Sequence, residues 1–443
     1  MRIKLSLLLF LGGMAANAQQ ISLPLNEAVQ MAVSKSNATN LAQTKVKTKG
    51  YELETVKNNR YPDVKVSGQY LRLTNADVKL RSSGESNADP NAEPQSSPKV
   101  NRLALGQANV AMPIFSGFKL RNSIKASENI YRAEKSTAEF TTSQTILQVV
   151  ELYGDLYKAQ RAVELLKESL KSSNERVREF TDAMDNGLVA RNDLLKTQLQ
   201  ASKTQLSLDE AERNVRLLNY ELVTLLKLPA NTEIVVSPDN IDKDLFSKTV
   251  ATEADALQKR KDLEALRFDR NAAQANIKVA KSGYFPSLSL TGGYVALDLQ
   301  NVVNVTNAMN VGVGLSYNLS SIFKNGKEVK AAKNRAKELE LQEAILTDQI
   351  KTHITEAREN YELSLKQDAV YTDAVSQADE NYRIVKDKYD NGLSDTNDLL
   401  EADVEDLSAK INQAYAKANV ILKYYEWLEA SGQLAESFNL TKN

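Results

Sequence analysis

The chain has 443 residues, enough for two or three domains, and its 56 lysines and arginines nearly balance its 57 aspartates and glutamates. This balance gives little support to nucleic-acid binding, and the absence of cysteine excludes disulfides, thiolate metal sites and a cysteine nucleophile. The single histidine, His353, lies in a heptad-patterned stretch, where a helix-face position is expected rather than a metal ligand.

Residues 1–18 have the pattern of a secretory signal peptide. Arg2 and Lys4 precede an apolar run, and Ala16-Asn17-Ala18 forms a cleavage site of the A-x-A type. We therefore expect the mature chain to begin at Gln19 and to leave the cytoplasm.

The next elements are helices and a strand pair. Residues 24–60 have a helical pattern that is interrupted near Ser36 and Asn37. Residues 63–73 and 102–112 alternate loosely between apolar and polar side chains, which predicts two strands, the second ending at Pro113. The intervening segment is rich in Ser, Asn, Pro and charged residues, so we expect an exposed loop there.

Heptad spacing of apolar residues predicts that residues 117–228 form a hairpin of two long helices. With the strands before it, this hairpin completes a first repeat over residues 19–228. Residues 229–251 lack the heptad pattern and are expected to form a separate equatorial segment.

The same order of signals then returns in a second repeat, residues 252–432. A helix is predicted from Thr252 to Ser282, followed by a strand pair and a second long hairpin. The predicted strands and hairpin occupy residues 286–297, 310–319 and 326–431. Residues 433–443 are the C-terminal tail.

The two hairpins have nearly identical turn sequences, 205 residues apart. Asp185-Asn186-Gly187-Leu188 occurs in the first and Asp390-Asn391-Gly392-Leu393 in the second. Glycine, and to a lesser degree asparagine, accepts the positive φ that a sharp turn requires. The repetition indicates an internal duplication of one strand-pair and hairpin unit.

Each predicted strand has about ten residues, the length of a tilted strand that crosses a bilayer. Three of the four have one apolar face and one small or polar face. A soluble sandwich has the same alternation, but the signal peptide and the long hairpins favour a membrane sheet. Four strands are too few to close a membrane barrel. Two copies of the chain would supply eight strands and three copies twelve, and the hairpins would continue the ring as a tube.

In this arrangement the chain resembles the TolC family of outer-membrane efflux channels. The resemblance rests on the repeated order of strands and hairpin, on Tyr61-Pro62 and Phe285-Pro286 before the first strand of each pair, and on the Gly-Leu turns. It implies a mainly α protein with a membrane β-barrel: a homotrimer whose twelve-stranded barrel is continued by a long periplasmic α-helical barrel.

The resemblance also implies a function, a location and partners. The expected function is the exit duct of a tripartite efflux pump, located in the outer membrane of a Gram-negative bacterium. The expected partners are a periplasmic membrane-fusion adaptor, an inner-membrane pump of the RND, ABC or MFS type, and outer-membrane lipid.

By the same resemblance, four residues are expected to form the periplasmic entrance gate. Asp398 and Glu401 share one helix face at i,i+3 spacing and would ring the aperture, although they could also be a first-turn acid pair. Asp193 and Tyr389 match two partners of the latch that holds the entrance closed, although Asp193 could equally be an N-terminal helix residue with no gating role. The third partner in the family is an arginine, which Ser394 replaces here, so Arg191 is a candidate substitute.

The residues at the two hairpin turns are expected, by resemblance, to contact the adaptor. They are Asn186, Gly187, Leu188, Asn391, Gly392 and Leu393. The exposed leucines would suit docking, although either leucine could instead pack beneath its turn.

Two other functions are compatible with parts of the sequence. A periplasmic coiled-coil adaptor or scaffold would carry helical hairpins, but one hairpin rather than two would be usual. A passive porin would need no long helices. No catalytic constellation, Gly-rich phosphate loop or metal-ligand cluster is present in the sequence, so we expect neither an enzyme nor a cofactor.

Overall fold

A computed structural model describes residues 19–77, 99–236 and 250–440 of the chain. The predicted signal peptide and most of the predicted loop within the first strand pair lie outside the described residues. The described strands are β1 (Gln19–Ser22), β2 (Asp63–Asp77), β3 (Lys99–Ser116), β4 (Thr232–Val235), β5 (Ser287–Leu299) and β6 (Val303–Ser316). The described helices are α1 (Leu25–Lys35), α2 (Asn37–Asn58), α3 (Lys119–Asp185), α4 (Arg191–Leu226), α5 (Glu253–Lys259), α6 (Lys261–Lys281), α7 (Ser321–Asp390), α8 (Thr396–Ala430) and α9 (Leu434–Ser437).

The chain divides into two compact units, and each unit takes segments from both predicted repeats. Unit 1 comprises Met1–Lys45, Lys135–Ala265 and Ala344–Asn443, and unit 2 comprises Val46–Glu134 and Leu266–Glu343. Within the described ranges, no helix is both long enough and apolar enough to cross a membrane.

Unit 1 contains the core that joins the two hairpins. Its centre is apolar side chains of α1, α3, α4 and α8, with Ile146, Leu156, Leu222 and Tyr424 almost completely buried. The short strands β1 and β4 pair in parallel beside this core. At 67 residues, α3 would extend roughly 100 Å.

Unit 2 contains a four-stranded antiparallel sheet in the order β2-β3-β5-β6. The strands have 15, 18, 13 and 14 residues, so each is longer than the sequence predicted. Neither outer edge, β2 or β6, pairs with another strand among the described residues. Within the described ranges, both edges therefore present unpaired backbone donors and acceptors.

The two faces of this sheet differ in chemistry in the half nearest the helices. The register aligns apolar side chains of all four strands on one face, which we call the apolar sheet face: Val64, Val66, Tyr70, Val110, Met112, Leu288, Leu290, Met309, Val311, Val313 and Leu315. Several of them are strongly exposed, including Val66 at 81% and Val311 at 83%. The opposite face carries Ser67, Gln69, Gln107, Asn109, Thr291, Asn310 and Ser316, and toward the ends of the strands far from the helices it also carries Leu71, Leu103, Leu105, Val295 and Leu297.

Several predicted boundaries were wrong. The second strand was expected to end at Pro113, but β3 continues to Ser116 because a bulge between Pro113 and Phe115 absorbs the residue that cannot donate a hydrogen bond. The last strand begins at Val303 rather than 310 and ends at Ser316. The helix predicted from Thr252 to Ser282 is two helices, because Arg260 adopts an extended conformation between them.

Candidate functional site

The two hairpin turns have the same backbone hydrogen bonds. In the first, the amides of Gly187 and Leu188 donate to the carbonyls of Met184 and Ala183 at 2.9 and 2.8 Å. In the second, Gly392 and Leu393 donate to the carbonyls of Tyr389 and Lys388 at the same two distances. This pattern is the Schellman motif, which requires a left-handed residue just after the helix. The φ angles of the two glycines are +75° and +74°, as that position demands.

The leucines that follow the glycines do not pack beneath the turns. Leu188 and Leu393 are each 78% exposed in the single chain. The side-chain amides of Asn186 and Asn391 donate to the carbonyls of Asp182 and Asp387, both at 2.7 Å. Each turn therefore satisfies its own hydrogen bonds and leaves an apolar side chain exposed.

Asp398 and Glu401 lie on the first turns of α8 and are exposed. The segment from Asp395 to Asp406 contains six carboxylates and no cation. Asp395 caps the helix by accepting hydrogen bonds from the amides of Asn397 and Asp398 at 2.7 and 3.0 Å. Within the described part of the chain, neither Asp398 nor Glu401 forms an ion pair.

Ser394 stands where an arginine of the latch was expected. Its hydroxyl donates to the Asp398 carboxylate at 2.7 Å. Arg191 forms no ion pair among the described residues, so it does not supply the missing latch cation in this structure.

Tyr389 and Asp193 lie near each other but share no hydrogen bond among the described residues. Burial raises the pKa of the Tyr389 phenol, a hydrogen bond with Thr396 lowers it, and the charge of Asp193 raises it further. The Tyr389 ring also stacks on Phe180 of α3 at 5.8 Å between centroids. Asp193 itself lies 3.5 Å from the Lys196 ammonium.

A buried polar cluster joins the two hairpins above the turns, and the sequence did not predict it. Arg176 of α3 makes a two-point contact with Asp403 of α8, with N–O distances of 3.0 and 3.3 Å. It also donates to the Tyr382 hydroxyl of α7 at 2.9 Å. The Arg176 and Asp403 side chains are only 7% and 15% exposed.

The Arg176 guanidinium of this cluster stays charged although it is buried. Burial alone would lower the pKa of the Arg176 guanidinium, but the hydrogen bonds and charge of Asp403 outweigh it and the net shift is upward. Two-point arginine–carboxylate pairs combine geometric specificity with strong hydrogen bonds. We call Arg176, Asp403 and Tyr382 the inter-hairpin clamp.

The described residues contain no group of three or more His, Cys, Asp or Glu side chains placed to hold a metal ion. His353, the only histidine, is exposed on α7.

Comparison with known proteins gives one consistent result. The sequence model of the family described as "Outer membrane efflux protein" matches residues 28–226 and 254–432. The outer membrane efflux protein BepC of Brucella suis biovar 1 is 20% identical over 388 residues, covering 87% of this chain and 84% of BepC. The outer membrane protein TolC of Vibrio cholerae is 23% identical over 332 residues, covering 71% of this chain and 73% of TolC.

Among solved structures, the CmeC outer membrane channel of Campylobacter jejuni has a TM-score of 0.76 with 19% sequence identity. The superposition covers 93% of this chain and 86% of CmeC. The fold is therefore that of the TolC-like outer-membrane channels, as the resemblance predicted.

Proposed function

Since the chain belongs to the outer membrane efflux protein family and is an outer-membrane efflux channel, we propose that three copies of it form the exit duct of a tripartite pump. The other two components would be a periplasmic adaptor and an inner-membrane transporter. The family consists of channel proteins, and we propose no catalytic activity for this chain.

The four-stranded sheet is the observation that supports assembly most directly. Its apolar face is exposed in the single chain, and both of its edges are unpaired among the described strands. In hydrocarbon an open edge is not tolerated, because each unpaired backbone group costs several kcal/mol. Three sheets joined edge to edge would make a twelve-stranded ring with the apolar face toward lipid and the polar face toward water.

The hairpin turns support a docking role. A leucine with 78% of its surface exposed is an apolar contact without a partner in the single chain. Two such leucines on turns of identical geometry would offer equivalent contacts to an adaptor. We propose Asn186, Gly187, Leu188, Asn391, Gly392 and Leu393 as this docking surface.

The acids after the second turn support a role at the entrance. Asp398 and Glu401 are exposed and have no cationic partner among the described residues, so three copies would place six unneutralised carboxylates around one aperture. Such a ring attracts and binds cations. We propose that Asp398 and Glu401 form this ring and that Tyr389 and Asp193 contribute to the closed contact beside it.

The assembly proposal is tested by detergent extraction, native mass spectrometry and conductance in planar bilayers. We expect a trimer that needs detergent to leave the membrane and that conducts ions. A periplasmic adaptor or scaffold, the alternative, would be released by high salt and would not conduct. A monomer that is soluble without detergent would refute the proposal.

The entrance ring is tested by replacing both acids, Asp398→Ala with Glu401→Ala, and measuring block by multivalent cations. We expect the concentration needed for half-block to rise. The matched control is Glu356→Ala with Glu359→Ala, an exposed i,i+3 acid pair about 50 Å along α7 from the turn. Equal block in the variant, the control and the unchanged protein would reject the ring.

Docking is tested by placing a photo-crosslinking amino acid at Leu188 or Leu393. We expect capture of the adaptor from both positions. Leu206, 60% exposed and roughly 20 Å along α4, is the control and should capture far less. Equal capture from all three positions would place docking elsewhere.

A further inference from the structure

A strongly basic cavity of about 570 Å³ lies in unit 2, where the first turns of α3 meet the ends of α2 and α6. One carboxylate, Glu128, lines it together with five cations. The cations are Arg60, Arg121, Lys125, Arg132 and Lys278. None of the five takes part in an ion pair within the described ranges. A concave site with several uncompensated positive charges attracts anions.

The position of this cavity is fixed by an aromatic rim. Phe118, which lines the cavity, makes edge contacts with Phe115 at 5.2 Å and Phe285 at 6.3 Å between ring centroids. Phe115 pairs with Leu288 in the register, so its side chain belongs to the apolar sheet face. The cavity therefore borders the apolar sheet face within unit 2.

Local backbone geometry holds the rim in place. Phe118 has φ +65°, which is uncommon for a bulky residue, and it follows Gly117 at φ +59°. A Cβ at Gly117 would lie 2.7 Å from the Ser282 carbonyl oxygen, so only glycine fits there. The ring of Phe118 is thus placed by two consecutive left-handed residues between β3 and α3.

The depth of the cations matches that of lipid headgroups. Aromatic side chains at the end of an apolar membrane face mark the boundary between hydrocarbon and headgroups. Along α3, Arg121 and Lys125 follow Phe118 by roughly 5 and 10 Å, and Arg132 by roughly 20 Å. The headgroup layer is about 5–8 Å thick on each side of a bilayer. Arg121 and Lys125 bracket this layer, whereas Arg132 lies beyond it.

We propose that this cavity binds the phosphate of an anionic glycerophospholipid in the periplasmic leaflet of the outer membrane. The inference rests on the proposed function, because it needs the apolar sheet face to contact lipid. Arg121, Lys125, Arg60 and Lys278 would surround the phosphate, and Phe118 would contact the first methylene groups of the lipid.

The experiment is native mass spectrometry of the purified full-length channel, titrated separately with phosphatidylglycerol and phosphatidylcholine. We expect saturable binding of phosphatidylglycerol, with one lipid per chain, and at least about tenfold weaker binding of phosphatidylcholine. Arg121→Gln should weaken phosphatidylglycerol binding about tenfold. Arg132→Gln changes the same residue type on the same helix face, but at the end of the cavity beyond the headgroup layer, and it should weaken binding clearly less than Arg121→Gln does.

A second comparison guards against an effect of total charge. Arg121→Gln with Lys125→Gln should abolish saturable binding, whereas Lys330→Gln with Lys333→Gln, an exposed pair on α7 outside the cavity, should not. Equal binding of the two lipids, or equal loss in both double variants, would overturn the proposal.

Inorganic phosphate distinguishes the lipid from a soluble anion. If free phosphate at millimolar concentration displaces the lipid, and Arg132→Gln weakens binding as much as Arg121→Gln, the cavity is a soluble-anion site and the lipid proposal fails. The oligomeric state and conductance of the same preparations separate this failure from that of the proposed function. A conducting trimer without lipid selectivity would reject only the lipid site.

Discussion

The inter-hairpin clamp makes a quantitative prediction about opening. Arg176, Asp403 and Tyr382 lie on three helices of the two hairpins, so a movement that separates the hairpins must break their bonds. Breaking a buried ion pair by removing one partner costs about 3–5 kcal/mol. Both groups would become hydrated on opening, which recovers part of that cost. We therefore assign about 2–3 kcal/mol per chain to the closed state, or about 30- to 150-fold in the equilibrium.

Arg176→Gln and Asp403→Asn should each raise the open probability of the channel in planar bilayers at a fixed voltage. They remove the charge and keep nearly the same shape, so the helices should still pack. The effect of the double variant on the free energy of opening should be smaller than the sum of the two single effects, because neither buried charge is then left without its partner. Tyr382→Phe removes one hydrogen bond and should have a smaller effect, about 1 kcal/mol per chain.

Arg383→Gln is the matched control for these variants. Arg383 is on the same helix as Tyr382 and contacts Glu380 and Asp387 at 2.8 and 3.3 Å, but its side chain is 63% exposed. Exposed pairs contribute little, so we expect no change in opening. If Arg176→Gln stays as closed as the unchanged protein, or Arg383→Gln opens equally, the clamp does not hold the entrance.

Three further variants test the sheet, the turns and a buried acid. Val311→Lys, on the apolar sheet face, should destabilise membrane assembly by about 2–4 kcal/mol in a denaturant titration of the trimer, whereas Asn310→Lys on the opposite face should not. Gly187→Val should cost about 1–2 kcal/mol and reduce export while trimers still form, and Gly187→Asn, which tolerates positive φ, should export normally. Burial raises the pKa of the Glu429 carboxyl above its usual 4.5, although the charge of Arg260 opposes the rise. The folded protein therefore holds this proton more tightly than the unfolded chain does. The contribution of Glu429 to the free energy of unfolding accordingly falls as the pH increases from about 4.5 through the raised pKa. Glu429→Gln should remove that slope from a plot of melting temperature against pH, and an unchanged slope would show that Glu429 does not titrate there.

The hairpin turns were the most predictable feature of the fold. Their geometry depends on three or four adjacent residues, and Asn-Gly-Leu occurs with the same neighbours in both copies. The Schellman motif needs only the helix end, a residue tolerant of positive φ and the two amides that follow. Local sequence therefore specifies it almost completely.

The clamp could not be predicted because the buried positions of α3 shift along the helix. Heptad spacing continued from Leu156 places Val177 at the helix contact. The structure instead buries Arg176 and Phe180, which shifts the contact by one residue relative to a strict heptad repeat. Such a shift is set by packing against several helices, and the sequence of α3 alone does not contain it.

The break at Arg260 has a similar cause. Nothing in the residues around it interrupts the helical pattern, since no glycine or proline is present there. Its side chain is buried against groups distant in sequence, with Glu429 at 3.6 Å and the Phe140 ring at 5.5 Å, and it also binds the nearby Asp262 at 2.6 Å. These tertiary contacts outweigh the local helical preference, which is only a few tenths of a kcal/mol per residue.

The location of the clamp also explains how Ser394 is tolerated. A cation at that position would lie beside Asp398 and would neutralise part of the proposed ring, whereas Ser394 donates one neutral hydrogen bond. Arg176 precedes the end of α3 by nine residues, so its charge lies about 14 Å from the turn. We infer that closure and cation attraction are separated along the hairpins here, so Asp403→Asn should change opening without changing cation block.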